Sequence, residues 1–190
     1  TRVTPILANL LPEGALRDYY IERLKTHVDD DFALLANLGK DLPGALVIEP
    51  IREVPEWALQ NGVQPEEVEV DDDEDSPKFS LAGVQMKFSS DKVDGRFNIG
   101  NDRGWIIKTP STWHKHVPEN EFTSMRLASL AGIDTPEFEL VKLGSINNLP
   151  EINLPAEKYA YVIKRFDREG DARIHMEDFA QIYELYPGKK

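Results

Sequence analysis

Hydrophobic residues recur at helical spacing through the first part of the chain. The spacing of Leu16, Tyr20 and Leu24 predicts one helix, and a second helix is predicted from Asp29 to Leu38. Acidic residues open this second helix, where the helix dipole favours negative charge. Residues 1–50 are therefore expected to form a small, mostly helical segment.

The pattern changes at Phe79, after which short apolar runs alternate with turn residues. The dipeptide Asp94-Gly95 and the stretch 102–104 are typical of tight turns between strands. In chain order the predicted elements are strands Phe79–Phe88, Arg96–Ile99 and Trp105–Thr109, helix Pro118–Gly132, strands Phe138–Leu143 and Tyr159–Phe166, and helix Ile174–Leu185. This order predicts an α+β fold with a mostly antiparallel sheet and one main helix, preceded by the small helical segment.

Between these two parts, residues 51–77 are less apolar and strongly acidic. They include an unbroken run of acids from Asp71 to Asp75. Like charges repel and keep a chain extended, so a solvated linker is the first interpretation. A docking site for a basic partner is the second.

The composition limits what the chain can do. Its 190 residues carry a formal net charge of −12, which argues against direct binding of DNA or RNA through clustered lysines and arginines. The chain has no cysteine, which excludes disulfides and thiolate sites and fits a cytoplasmic protein. His114 and His116 share a polar loop without a third ligand, so no metal site is predicted. No apolar run is long enough for a membrane span.

The most informative residue is Lys108, which ends a short apolar run. A lysine at that place must reach solvent or find a carboxylate, because a buried unpaired charge is costly. Glu121, early in the following helix, is the natural partner. Upstream, Gly83 lies where a backbone without a side chain could approach a phosphate closely. Each residue alone has an ordinary structural explanation, but their order is that of the small lobe of a kinase.

A second informative stretch follows the last predicted strand. The apolar run 159–163 leads into Lys164-Arg165-Phe166-Asp167, which is charged and less regular. Such a transition suits the hinge of a two-lobed enzyme, where backbone groups meet the edge of an adenine ring. The alternative is an edge strand followed by a turn.

Together these pieces resemble the HipA-type toxin kinases of bacterial toxin–antitoxin modules. The resemblance covers most of the chain in the family's order, and the ordered set is specific although each piece is short. The matching pieces are Asn9–Arg17, Asp30–Leu35, Gly39–Ala45, Ser80–Lys87, Trp105–Lys108, Glu119–Phe122, Arg126–Ala128, Ala131–Ile133, Arg165–Arg168 and Arg173–Phe179.

The resemblance implies the fold of a serine/threonine protein kinase. Residues 1–50 would be the end of the family's N-terminal subdomain, residues 51–77 an acidic linker, and residues 78–190 the kinase N-lobe with its hinge and the first helix beyond it. Lys108 is expected to bind the phosphates of ATP, with Glu121 as its partner on the helix.

The same match assigns the other expected ATP-binding residues. The backbone of Lys164 and Phe166 would meet adenine, and Asp167 would lie near the ribose. Ser80 matches a position that family members autophosphorylate to switch themselves off, since a phosphate beside the loop would spoil the ATP pocket. The loop expected to cover the phosphates consists of Ala82, Gly83, Val84, Gln85, Met86 and Lys87.

For the intact enzyme the resemblance implies Mg²⁺-assisted transfer of the γ-phosphate of ATP to a protein serine. It further implies an aminoacyl-tRNA synthetase as the kind of target and a HipB-like DNA-binding antitoxin as partner. No aspartate followed by His-x-Lys-Asn occurs in the sequence, so the catalytic and Mg²⁺-binding residues are expected in a C-lobe outside this chain. The chain alone is expected to be inactive. The alternatives are an acidic protein-interaction module and a pseudokinase with the same lobe fold.

Overall fold

The structure, a computed structural model, describes residues 2–51, 53–62, 68–71, 81, 85–100 and 104–189. None of its described helices combines the length and the apolar character that a bilayer crossing requires. The helices are α1 (Pro5–Ala8), α2 (Gly14–Leu24), α3 (Asp31–Leu38), α4 (Glu56–Gln60), α5 (Val117–Leu130) and α6 (Phe179–Ile182). Short 3₁₀ turns cover Gly39–Asp41, Leu143–Ser145 and Pro187–Lys189. The strands are β1 (Lys87–Val93), β2 (Arg96–Ile99), β3 (Trp105–Lys108), β4 (Phe138–Lys142), β5 (Ile146–Asn147), β6 (Tyr159–Lys164), β7 (Arg168–Glu169) and β8 (Ala172–Arg173).

Six of the strands form one sheet in the order β4-β6-β3-β1-β2-β5, and β7 pairs with β8. Every neighbouring pair in the large sheet is antiparallel except β2 with β5. The hairpin between β1 and β2 turns at Asp94 and Gly95, whose positive φ angles of 49° and 76° match the twist of the flanking strands. The predicted α+β fold with a mostly antiparallel sheet is confirmed.

The large sheet has two faces with different neighbours. Phe88, Ile107 and Val162 lie opposite one another in register and are almost fully buried on one face. They belong to the same hydrophobic cluster as Leu11 and Leu34 of the N-terminal segment. Helix α5 instead packs against β4 and β6. The N-terminal helices and the sheet thus share one core, and α5 occupies the other side.

The helix predicted from Ile174 to Leu185 is wrong in length. Only Phe179–Ile182 is helical. Its start is fixed by a capping box, in which the carboxylate of Asp178 accepts the N–H of Gln181 and the side-chain oxygen of Gln181 accepts the N–H of Asp178. The strand predicted from Phe79 also begins later, at Lys87. Of residues 79–86, the structure describes Leu81, Gln85 and Met86.

Gly39 follows α3, as the sequence predicted. The position requires glycine for a steric reason rather than for a left-handed backbone conformation. Its φ is −63°, an ordinary helical value, so no left-handed conformation is involved. A Cβ atom at this position would lie 2.2 Å from the backbone oxygen of Ile48, whose N–H donates to the Gly39 carbonyl. The close passage of the two backbone segments is therefore what requires glycine.

We expect Gly39→Ala to lower the free energy of unfolding by about 1–3 kcal/mol, because the methyl group forces the two segments apart. Urea denaturation followed by circular dichroism measures the change. Gly144→Ala is the matched control, since a Cβ there would meet no atom within 4 Å. Equal stability of the two variants would contradict this explanation.

Candidate functional site

Lys108 and Glu121 form an ion pair on the face of the sheet that α5 covers. Lys108 is the last residue of β3, and Glu121 lies in the N-terminal half of α5. The ammonium group of Lys108 donates a hydrogen bond to Oε2 of Glu121, and each side chain keeps about a quarter of its surface exposed, 28% and 26%. The structure thus brings together the two residues that the sequence analysis paired. Their exposure leaves the ammonium group accessible to an anion.

Tyr161 lies beneath this ion pair on β6, directly opposite Lys108 in register. The ammonium nitrogen of Lys108 is 5.6 Å from the centre of its ring, within the range of a cation–π interaction. Burial, and then the charge of Glu121, raise the pKa of Tyr161 to about 12. The ring is therefore a neutral platform that helps to fix the direction of the lysine side chain. The sequence analysis did not single out this residue.

The expected phosphate-covering loop is only partly within the described residues. Ser80, Ala82, Gly83 and Val84 lie outside them. The side chain of Gln85 donates to the carbonyl of Thr109, and the carbonyl of Met86 accepts both the N–H and the hydroxyl of Thr109. Lys87 begins β1 and pairs in register with Lys108. The end of the loop is thus tied to the strand that carries Lys108.

The expected hinge follows β6 in an alternating pattern of exposure. Lys164 is exposed and pairs with Glu137 at 2.6 Å, and Phe166 is 64% exposed. Arg165 between them is 3% exposed, and Asp167 is 5% exposed. Among the residues that the structure describes, the N–H of Phe166 has no hydrogen-bond partner. Phe166 thus presents an N–H that no described residue accepts.

A buried group of four charges, which we call the hinge cluster, consists of Asp41, Arg165, Asp167 and Arg168. Arg165 binds both carboxylate oxygens of Asp167 at 2.8 and 2.9 Å, and it reaches Asp41 at 2.9 Å. Arg168 binds Asp41 at 3.0 Å and Asp167 at 2.9 Å. The two arginines and two aspartates balance in charge, so the cluster can be buried without a net charge.

Asp167 is held within the hinge cluster. Its carboxylate accepts four hydrogen bonds, from Arg165 twice, from Arg168 and from the N–H of Gly44 at 2.8 Å. The carboxylate group therefore has a structural role within the hinge cluster. Its expected place near the ribose of ATP stays a prediction. The sequence analysis assigned no contact between Asp41 and Arg165, since 124 residues separate these partners.

Stability is expected to depend on pH through Asp167. Burial alone would raise the pKa of Asp167, but the hydrogen bonds and charge of Arg165, the N–H of Gly44 and the charge of Arg168 outweigh it and hold the pKa below the ordinary value of 3.8. A carboxyl group whose pKa is lower in the folded protein than in the unfolded chain stabilises the fold at pH values above the unfolded pKa. This contribution to stability is lost as the pH falls through the folded pKa. The free energy of unfolding should therefore decrease below about pH 4.

Urea titrations at several pH values measure this decrease. Asp167→Asn should be less stable at neutral pH and should show a shallower loss in acid, since its side chain no longer titrates. Asp171→Asn changes an exposed turn residue nearby, and its free energy of unfolding should change with pH as in the wild type. The same slope in Asp167→Asn and wild type would show that this carboxyl group does not contribute.

His116, Glu119 and Glu157 form a further group of polar residues near the start of α5. The Nδ1 atom of His116 lies 3.5 Å from Glu119, and its backbone N–H donates to Glu157 at 3.2 Å. The three could offer ligand atoms within 4.8 Å of one another. The imidazole is 72% exposed, and clusters of this kind are common on surfaces without an ion, so we assign no metal to it.

A cavity of about 650 Å³ lies between α2 and residues 110–113 and 151–154. Gln85 and Met86 reach its wall, whereas neither the Lys108–Glu121 pair nor the hinge lines it. The ion pair and the hinge are therefore separate from this cavity.

Two protein-family profiles together match most of the chain. Residues 1–49 match the HipA N-terminal domain, and residues 79–190 match the HipA-like C-terminal domain. The second match alone covers more than half of the sequence. The two domains match this chain in the order of their names, the N-terminal domain first and the C-terminal domain second.

Individual relatives agree with these matches. A protein of Sinorhizobium fredii named "Putative kinase Y4dM" is 40% identical over 99% of this chain and 46% of its own length. The serine/threonine-protein kinase toxin HipA of Shewanella oneidensis is 29% identical over 100% of this chain and 45% of its own. The chain thus spans less than half the length of these relatives.

A solved structure shows the same fold. It is the complex of HipA, HipB and operator DNA from Shewanella oneidensis. The match covers 98% of this chain and 45% of the matched chain, with a TM-score of 0.62 and 27% identity. The sequence matches, the fold and the order of the motifs therefore all indicate the same family. This chain belongs to the HipA family of toxin kinases.

Proposed function

We propose that this chain is the N-terminal portion of a HipA-type serine/threonine protein kinase that binds ATP and phosphorylates a protein target. The observation that carries the proposal is the ion pair between Lys108 on β3 and Glu121 on α5, in a chain of this family. In a kinase such a pair aims an ammonium group at phosphate oxygens and offsets their charge. The accessible ammonium group over the ring of Tyr161 supports this role.

The hinge supports the same function from the other end of the nucleotide. Phe166 offers an N–H that no described residue uses, which is what the edge of an adenine ring requires. Lys164 at the end of β6 contributes its carbonyl group, since its own N–H donates to the carbonyl of Glu137 at 2.8 Å. ATP supplies the phosphoryl group to be transferred, and Mg²⁺ accompanies it and neutralises phosphate charge. No residue of this chain is assigned to Mg²⁺.

The loop from Ala82 to Lys87 covers the phosphates, and Ser80 before it is a site of autophosphorylation. A phosphate on Ser80 would place about two negative charges beside the loop that receives the phosphates of ATP. Repulsion between the two would lower the affinity for the nucleotide. The binding of the Gln85 and Met86 end of this loop to Thr109, next to Lys108, supports a coupling between loop and lysine.

Residues 1–50 form the end of the family's N-terminal subdomain, residues 51–77 a linker, and residues 78–190 the kinase N-lobe with its hinge and the first helix after it. The first and last of these share one hydrophobic core. They also share buried ion pairs through Asp41 and Arg165. The two parts therefore work as one body around the hinge.

The cellular role that we propose is that of the toxin in a toxin–antitoxin pair in the cytoplasm. A HipB-like DNA-binding antitoxin is the partner, as in the structural relative that was solved with HipB and operator DNA. The net charge of −12 favours contact with DNA through such a partner rather than directly. The phosphorylated target is a protein serine, and an aminoacyl-tRNA synthetase is the kind of target that the family resemblance implies.

A second function, that of a non-catalytic interaction module or pseudokinase, is favoured by the same excess of acidic residues. A surface of net charge −12 steers a basic protein towards the chain without any chemistry. The module would bind its partner whether or not Lys108 is present. The kinase would need Lys108 for transfer but not for that binding.

Phosphate transfer by the isolated 190 residues and by the full-length protein tests the proposal. Mass spectrometry after incubation with ATP and Mg²⁺ would detect phosphate on Ser80 or on a candidate synthetase. We expect transfer by the full-length protein, and no transfer with at most weak nucleotide binding by the 190 residues. Turnover by the 190 residues alone, or none by the full-length protein, would contradict it.

A further inference from the structure

The loop that is expected to receive adenine bears a backbone N–H, that of Phe166, which no described residue accepts, between two buried side chains. Arg165 and Asp167 turn inward, while Phe166 between them is exposed and keeps its N–H free of described partners. Phe166 is exposed, so water can satisfy this N–H while no ligand is bound, and the donor itself does not fix the loop. Something must hold it in this conformation.

The side chains on either side of Phe166 supply the first restraint. The guanidinium group of Arg165 binds both oxygens of Asp167, two residues later, at 2.9 and 2.8 Å. Such a bidentate contact fixes direction as well as distance. It closes a small ring around Phe166 and limits the backbone angles that the loop can adopt.

The second restraint comes from the N-terminal segment, more than a hundred residues earlier. Asp41 is fully buried and binds Arg165 and Arg168 through the same oxygen atom at 2.9 and 3.0 Å. Gly44 donates its N–H to Asp167 at 2.8 Å and accepts from Arg168 at 2.9 Å. Both partners of the Arg165–Asp167 contact are therefore held by the segment from Asp41 to Gly44.

Gly44 is restricted in its own conformation. Its φ is +76°, which side chains rarely adopt, and an added Cβ would lie 3.0 Å from the side chain of Met176. The N–H that it presents to Asp167 thus depends on the absence of a side chain. The N-terminal segment is shaped to reach the hinge.

A buried ion cluster is a poor way to gain stability alone. Apolar side chains of similar volume often stabilise a site as well or better, because removing charges from water is costly. What the charged groups add is a defined direction for each contact. These fixed directions matter most in the loop of Phe166, whose N–H no described residue accepts.

We propose that the N-terminal segment from Asp41 to Gly44 is part of the nucleotide site, in which Asp41 and Gly44 act as positioning residues that hold the hinge open for the adenine base through Arg165 and Asp167. This inference rests on the proposed binding of ATP. The N-terminal segment sets the affinity for the nucleotide without touching it.

Steady-state kinetics of the full-length protein test the inference. Asp41→Asn keeps the shape of the side chain and removes its charge, and it should raise the KM for ATP about tenfold while kcat at saturating ATP stays within about threefold. Lys40→Ala is the matched control, because Lys40 is adjacent, exposed and outside the cluster. Its KM should equal that of the wild type.

A purely structural role gives a different result. Partial unfolding lowers the amount of active enzyme, so the apparent kcat falls while the KM of the folded fraction stays the same. If Asp41→Asn does not fold, Arg168→Lys is the second variant, since it keeps the charge but loses the planar fork that reaches Asp41 and Asp167 together. A higher KM in Arg168→Lys supports the inference.

An unchanged KM in a folded Asp41→Asn protein overturns the inference. If Asp41→Asn does not fold, an unchanged KM in Arg168→Lys overturns it. In either case the proposed function is unaffected as long as the wild-type protein binds ATP. Failure of the wild-type protein to bind ATP in the same assay defeats the proposed function, and this inference with it.

Discussion

Lys108→Ala in the full-length protein is expected to lower kcat/KM for phosphate transfer by about 100-fold or more. The methyl group cannot replace a cation that would lie against the phosphates, and no other described lysine is paired with Glu121. The loss corresponds to about 2.7 kcal/mol of transition-state stabilisation. Transfer of labelled phosphate from ATP to the protein substrate measures it.

The control for this change is Lys142→Ala, which removes an exposed lysine at the end of β4. It should transfer phosphate like the wild type. Glu121→Gln should also lose activity, but less than Lys108→Ala, since it leaves the cation in place and only removes its partner. Full transfer by Lys108→Ala would show that Lys108 does not serve the reaction. No transfer by the wild-type protein, with partner binding intact, would favour the interaction module over the kinase.

Arg165→Ala is expected to lower the free energy of unfolding by about 3–5 kcal/mol. Among the described residues, the change leaves Arg168 as the cation that compensates the carboxylates of Asp41 and Asp167. It also removes the contact that joins the hinge to the N-terminal segment. Equilibrium urea denaturation at neutral pH measures the loss.

Lys40→Ala serves as the control for stability as well. It removes one positive charge next to Asp41, but its ion pair with Glu49 is exposed on both sides, so the unfolding midpoint should hardly move. A loss in Arg165→Ala no larger than that in Lys40→Ala would show that the hinge cluster does not hold the two parts of the chain together.

The sheet and the main helix could be predicted because their signals are local. Alternating residues and the Asp94-Gly95 turn define β1 and β2, and Pro118 and Gly132 bracket α5 to within two residues. The pairing of Lys108 with Glu121 could also be predicted, since a strand and the helix that follows it are neighbours in most folds. Neither needs knowledge of distant contacts.

What could not be predicted depends on contacts between distant parts of the chain. β5 consists of two residues, too few for a recognisable pattern, and it forms only by pairing with β2. Asp41 reads as an ordinary acid in a polar turn, and only the fold brings it to Arg165. The same holds for Gly39, where the backbone of Ile48 lies too close to leave room for a Cβ atom.

The short helix α6 shows a different kind of limit. Apolar residues at helical spacing run through 174–185, but Asp178 and Gln181 form a capping box that fixes the first turn after Asp178. A capping signal inside an apolar pattern therefore decided where the helix begins. Giving this signal more weight than the apolar spacing would have corrected the prediction.

A crystal structure of the full-length protein with Mg²⁺ and a non-hydrolysable ATP analogue is the most direct test of the central claim. We predict a phosphate oxygen within hydrogen-bond distance of the ammonium group of Lys108, with Glu121 still bound to it, and the adenine edge on the N–H of Phe166. A nucleotide bound elsewhere, with Lys108 and Phe166 both free of it, would contradict the account.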